Sequence, residues 1–197
     1  MDESQEHNLG ALVTQWYKKY GRQNLPWRKS ITPYKVWISE IMLQQTQVVT
    51  AQSYYSKFLK KYPSLTSMKM ATEDDILSLW SGLGYYRRAS FIYQAKEKIF
   101  LDFNGRFPAT YDELITLPGI GRSTAGAILS IAYQKPFPIL DANVKRVLAR
   151  LFLQQEFKEG LFWNLSAQCL DEDDPYSYQQ GIMDIGATLC TPKAPLC

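Results

Sequence analysis

Two carboxylates stand in apolar company. Glu40 lies in VWISEIMLQQTQ, where a helix sets Val36, Trp37, Leu43 and Gln44 one turn to either side of it. Three of those four neighbours are apolar, so the acid faces the buried side. Desolvation there raises its pKa, and it can hold a proton near neutral pH and act as a general acid. The same string fits a partly exposed glutamate or one paired with an arginine. Asp141 follows FPIL and precedes ANVKRVLARL, the position of an N-cap bonded to the amide of Asn143 or Val144. Backbone donors keep such a carboxylate ionised, the state that steadies a developing cation. A cap and a catalytic role are compatible.

A third chemical feature is LPGIGRSTAGAIL, residues 117–129, a glycine-punctuated hairpin running into a helix. Gly119 and Gly121 can take positive φ and carry no side chain to block an approaching ligand. The first amides of the second helix, with the positive end of its dipole behind them, suit a phosphate oxygen. A tight αα-turn that uses glycine for geometry alone gives the same string. A second glycine turn, GLGYYRRAS at 82–90, sets Tyr85 and Tyr86 beside Arg87 and Arg88. Those are the ingredients for stacking on bases next to a phosphate backbone, or of ordinary core.

The elements that must hold these residues are helical, and strand signals are nearly absent. Residues 9–20 are amphipathic and stop at Gly21, a C′ position. Thr32-Pro33 is a cap followed by a first-turn proline, opening a long run to Tyr62 that is broken once. Thr72 with Asp75 resembles a capping box. Arg87 to Phe103 closes on Asn104-Gly105, Asp141 introduces another helix, and two more fill 160–190. The reading is an all-α protein of about ten helices with short connections.

Composition bounds the partners. Apolar residues make up 46% and charged residues 21%, a soluble globular profile, and the net charge of +3 permits an anionic partner without demanding one. No apolar run approaches the roughly 20 residues of a membrane span, and MDESQEHN is no signal peptide. The expected location is the cytoplasm, in a bacterial nucleoid. Three cysteines, Cys169, Cys190 and Cys197, make a disulfide framework unlikely in a reducing compartment.

Together these pieces resemble a known family. LPGIGRSTAGAIL followed by ILDANVKRVLAR is similar to the helix-hairpin-helix plus Gly/Pro-Asp signature of the endonuclease III superfamily of DNA glycosylases. Within it LPWR (25–28), PYKVWISEIMLQQTQV (33–48), GLGYYRRA (82–89) and MDIGATLC (183–190) look like the MutY-type adenine DNA glycosylases. The resemblance covers roughly 10–190. It implies two helical lobes with DNA and an extruded base between them: a six-helix barrel at 28–138, and a lobe of both termini, 1–27 and 139–197, that normally holds a [4Fe–4S] cluster. The implied partner is double-stranded DNA containing adenine opposite 8-oxoguanine or guanine, and the implied reaction is hydrolysis of the bond from that adenine to its deoxyribose. A monomer is expected.

Position by position, the resemblance makes Glu40 the acid that protonates adenine, and Asp141 the carboxylate that stabilises the oxocarbenium-like sugar with support from Asn143. Gln45 and Tyr85 match residues that push into the stack around the lesion, while Gly119, Gly121 and Arg122 belong to the DNA-binding hairpin. Leu25, Trp27, Arg28 and Gln180 resemble parts of the adenine pocket, although plain packing explains Leu25 and Trp27 as well. Ser123 stands where bifunctional relatives place a Schiff-base lysine. It implies base release with little strand nicking.

The match departs at the cysteines. The family's cluster loop runs C-x6-C-x2-C-x5-C, and here Cys190 and Cys197 supply the first spacing before the sequence stops. Two thiolates cannot hold a four-iron cluster. Cys169 lies outside the loop and reads as a buried hydrophobe. Either the chain is a fragment, the reading favoured here, or its lineage has lost the cluster, and the family's C-terminal domain that reads 8-oxoguanine is absent from it. Two rivals stay open: a T·G-specific thymine glycosylase of the same superfamily, and a non-catalytic helix-hairpin-helix DNA-binding protein.

Overall fold

Every regular element among the described residues is helical. The computed structural model describes the backbone of residues 3–196 and the side chains of residues 9–196. Ten α-helices follow one another in this range: α1 Glu3–Tyr20, α2 Pro33–Leu43, α3 Val48–Lys61, α4 Glu73–Trp80, α5 Arg87–Asp102, α6 Tyr111–Leu114, α7 Arg122–Ala127, α8 Ala142–Leu151, α9 Glu159–Gln168 and α10 Pro175–Thr188. α7 widens directly into a π-helical turn over Ile128–Ala132. The chain divides into two compact units, Asn24–Ile128 and the two ends up to Gln23 and from Leu129. The sequence reading drew these lines at 27/28 and 138/139.

In the 24–128 unit the central element is α2. Thr32 caps it, its hydroxyl accepting from the Lys35 amide at 3.2 Å, and Pro33 occupies the first turn where no amide is needed. Val36, Trp37, Ile38, Ile41 and Met42 are buried, an apolar circumference that only a helix enclosed by neighbours can carry. α3, α5 and α7 supply that enclosure. Each such side chain contributes roughly 1.5–3 kcal/mol by leaving water. The single break expected in the long run falls at residues 44–47, between α2 and α3.

The capping box at α4 forms as read, Thr72 accepting from the Asp75 amide and Asp75 from the Thr72 amide. The Lys61 ammonium, 2.9 Å from Asp75, and then the Thr72 amide hold that carboxyl down to about 2. Because the folded value lies below the unfolded one, the stabilisation is complete above about pH 4 and is lost as pH falls through about 2. Asp75→Asn is expected to flatten the acid arm of the stability curve across that window. Thermal melts of both proteins on the acid side check it, and an unchanged arm would contradict the assignment.

In the other unit α1 packs on α10, α10 on α8, and α8 on α9. Val13, Val144, Leu148, Phe162, Tyr178 and Ile182 form its core, and Cys169 is fully buried among them as a small hydrophobe. Gly181 permits a close approach of α1 to α10, since a Cβ there would stand 2.9 Å from Val13. Gly21 ends α1 as expected but is not left-handed. Its amide bonds the Tyr17 carbonyl at 2.8 Å, and a Cβ would strike the Tyr17 ring at 2.2 Å, so close packing sets the need for glycine. Just beyond it, Arg22 donates from its backbone amide and its guanidinium to the fully buried Asp184 carboxylate on α10.

Candidate functional site

Glu40 sits three residues before the end of α2 and is partly buried. Val36 and Trp37 below it are buried, Leu43 is partly so, and Gln44 is exposed. The acid therefore stands at the rim of the core rather than inside it. Two loops flank this helix end and the start of α5. In the first, Gln45 takes a left-handed backbone at φ 54°; in the second, Tyr85 does so at φ 51°, behind Gly82 and Gly84 at 91° and 80°. Non-glycine residues rarely hold this conformation, which costs about 1–3 kcal/mol and persists only where the surroundings enforce it. Gln45 and the 60% exposed Tyr85 line one cavity of about 320 Å³ with Gln44, Tyr86, Arg87, Arg88 and Phe91.

The arginine pair beside Tyr85 divides in a way the sequence reading missed. Arg87 is exposed, its guanidinium 5.1 Å from the Phe91 ring centre. Arg88 is buried, and both its terminal nitrogens donate to oxygens of the protein itself, which turns them away from a phosphate. A signal existed. Arg88, Ile92, Ala95 and Ile99 recur at helical spacing on the buried face of α5, and Arg87 falls off that stripe.

The hairpin places Gly119 at φ 78°, where a Cβ would also meet Phe91 at 2.8 Å. Gly121 differs from expectation. It is extended, at φ −91° and ψ −179°, as the N-cap of α7, and nothing lies within 4 Å of where its Cβ would be. Open approach, not backbone conformation, is what glycine supplies there. Arg122 is exposed and Ser123, the second residue of α7, is partly buried. Leu25 and Trp27 are buried at a 3-10 turn over Pro26–Arg28, with Trp27 edge-on to the Tyr55 ring at 5.6 Å. Arg28 is partly buried.

Asp141, in the other unit, is the N-cap of α8 and accepts from the Val144 amide at 2.7 Å. Capping by these donors favours the ionised form, as expected, but it is not the largest influence on this carboxyl. Desolvation outweighs the Val144 and Asn143 donors and pushes its pKa up. Asn143 donates to the second carboxylate oxygen at 3.3 Å. Arg146, another residue missed in the sequence, donates to Asn143 Oδ1 at 2.8 Å, to the Gly186 carbonyl at 2.6 Å and to the Cys190 carbonyl at 2.7 Å. The row Asp141–Asn143–Arg146 is thereby anchored to the end of α10. Gln180 lies buried in α10.

Cys190 is buried, and its sulfur accepts from Arg150 at 3.3 Å. Cys197 lies outside the described residues. Among the described residues no three His, Cys, Asp or Glu side chains gather in a way that could hold a metal. A four-iron cluster takes four thiolates, and this sequence has three cysteines with Cys169 committed to a core. The residues present do not fit that group, and no step of the reaction is assigned to one.

A family model described as HhH-GPD superfamily base excision DNA repair protein matches residues 38–161. An adenine DNA glycosylase of Buchnera aphidicola subsp. Schizaphis graminum (strain Sg) is 50% identical over 194 residues, 96% of this chain and 56% of that protein. The adenine DNA glycosylase of Homo sapiens is 38% identical over 202 residues, 95% of this chain and 37% of that one. The chain thus spans about half the length of the first relative and little over a third of the second. Among solved structures, a thermostable thymine-DNA glycosylase matches with a TM-score of 0.87 at 24% identity, over 98% of this chain and 91% of that one. A non-covalent endonuclease III–DNA complex matches with a TM-score of 0.83 at 20% identity, over 100% and 91%. These two likenesses are of fold, and they bear out the all-α, endonuclease III-like architecture.

Proposed function

This chain belongs to the HhH-GPD superfamily of base excision DNA repair proteins, and from that membership we propose that it carries the catalytic part of a monofunctional adenine DNA glycosylase. Its substrate is duplex DNA with adenine opposite 8-oxoguanine or guanine. The observation that carries the reading is the 50% identity to an adenine DNA glycosylase across 96% of the chain. Thymine glycosylase likeness, by contrast, is one of fold at 24% identity.

The chemistry follows from the residues. A base inside a duplex is out of reach, so the adenine leaves the stack, with Gln45 and Tyr85 entering beside the lesion pair. The adenine anion is a poor leaving group. Glu40 gives a proton to the ring, the C1′–N9 bond breaks with its electron pair going to the base, and neutral adenine departs. The sugar is left as an oxocarbenium ion, whose positive charge the Asp141 carboxylate stabilises. Asn143, bonded to that carboxylate at 3.3 Å, orients it. Water then adds at C1′ and sheds its proton, leaving an abasic site. Ser123 has no amine with which to form an imine, so the strand stays intact. The resemblance assigns recognition of the base to Leu25, Trp27, Arg28 and Gln180, and contact with phosphate to Gly119, Gly121 and Arg122.

The test is a competition among labelled duplexes carrying A·8-oxoG, A·G, T·G or matched pairs, analysed with and without hot alkali. Adenine release from the first two is expected, with strand breaks appearing only after alkali. Preferential thymine release would replace this reading with the thymine-specific one. Binding without any base release would favour a non-catalytic DNA-binding role, and nicking without alkali would refute monofunctional chemistry.

A further inference from the structure

The last carbonyls of α2 have no partners within their own helix, as at any helix C-terminus. Here they are met by one side chain from a distant element. Arg88, 7% exposed on the first turn of α5, directs Nη1 at the carbonyls of Ile41 and Met42, both at 3.0 Å, at the Gln44 carbonyl and at Thr46 Oγ1, 3.1 Å away. Its Nη2 donates to the Gly84 carbonyl at 3.1 Å. The guanidinium carbon lies 5.3 Å from the ring centre of Trp80 and 5.4 Å from that of Tyr85. The negative end of the α2 dipole and five backbone or hydroxyl oxygens compensate the buried charge.

These bonds reach both loops that carry a strained residue. Gln45 lies between Gln44 and Thr46, and Tyr85 directly follows Gly84. We infer that Arg88 is a positioning residue that ties the 44–47 and 82–86 loops into one rigid unit and so holds Gln45 and Tyr85 in the left-handed conformations from which they probe DNA. The probing role rests on the glycosylase reading; the tie between the loops does not. A planar fork is required, because one group must serve two directions from between two rings. The ammonium of a lysine, a single point charge, cannot do so.

The experiment compares the full chain with Arg88→Lys by amide hydrogen exchange, and by affinity for A·8-oxoG against matched duplex, each with and without Tyr85→Ala. Exchange is expected to quicken in both loops together. Preference for the mispair is expected to fall roughly tenfold, the scale of losing charged hydrogen bonds, with little change in matched-duplex affinity. In the Tyr85→Ala background Arg88→Lys should cost clearly less than in the wild-type chain, because only its effect through Gln45 is left. Unchanged loops, an unchanged preference, or an equal loss in the Tyr85→Ala background would overturn the inference. Should Arg88→Lys fail to fold, Thr46→Val decides. It removes one acceptor in the first loop, and faster exchange passed on to residues 83–87 supports the tie, whereas exchange confined to the first loop overturns it. A wild-type chain with no preference for the mispair would sink the glycosylase reading alone, and the exchange measurement would still judge Arg88.

Discussion

Glu40→Gln is expected to slow adenine release by about 10²–10⁴-fold, the range a general acid contributes, while leaving DNA affinity within about twofold. The substitution keeps the shape of the side chain and removes its capacity to give a proton and to carry charge. Glu40 stands at the rim of the α2 core and not within it, so neither a cavity nor an overpacked contact follows. The loss should therefore appear in the single-turnover rate and not in the melting temperature. Single-turnover release at saturating protein separates the two, together with fluorescence anisotropy on the same duplex. A variant that releases adenine at the wild-type rate would remove Glu40 from the chemistry.

Asp141→Asn is expected to lower the rate by about 10²–10³-fold, the cost of losing one electrostatic contact to a developing charge. Its effect on stability runs the other way. Asparagine caps helices as well as aspartate does, so the bond to the Val144 amide has a substitute. Desolvation raises the pKa of Asp141 in the folded chain, so this carboxyl contributes stability below its unfolded pKa that is lost as pH rises through the folded value. At neutral pH its ionisation is thus a cost, and the asparagine variant should melt at the same temperature or higher. Asp141→Ala, with no cap, should lose about 1 kcal/mol. A function-destroying change that does not destabilise is the pattern of a residue held ionised for chemistry rather than for the fold. If Asp141→Asn instead melts markedly lower and releases adenine normally, the residue is a cap and no more.

What the sequence made legible was whatever is settled within a few residues. Thr32-Pro33, the Thr72–Asp75 box and Asp141 as the cap of α8 depend on side chains three positions from the amides they satisfy, and each formed as read. Features set by distant contacts were not legible in the same way. Gly21 follows the end of a helix like many left-handed residues, yet its need for glycine comes from the Tyr17 ring. Gly121 mirrors Gly119 in the string, but only Gly119 takes a positive φ and only there would a Cβ meet Phe91. The titration of Asp141 follows from how much water the folded chain removes, which no cap motif encodes. Arg88 and Arg87 are neighbours of one type, and only the α5 stripe of Ile92, Ala95 and Ile99 tells them apart. Helical phase, applied to charged residues as strictly as to apolar ones, would have found it. Arg146 had no such signal, since its acceptors at Gly186 and Cys190 lie 40 and 44 residues away in sequence.

The central claim is that two carboxyls, one giving a proton to the base and one facing the sugar cation, carry a single bond cleavage. Combining Glu40→Gln with Asp141→Asn and following free adenine from an A·8-oxoG duplex under single-turnover conditions tests it most directly. Groups that serve one transition state lose rate non-additively, so the double variant should be about as slow as the worse single one. A double variant that still frees adenine at the wild-type rate would contradict the account.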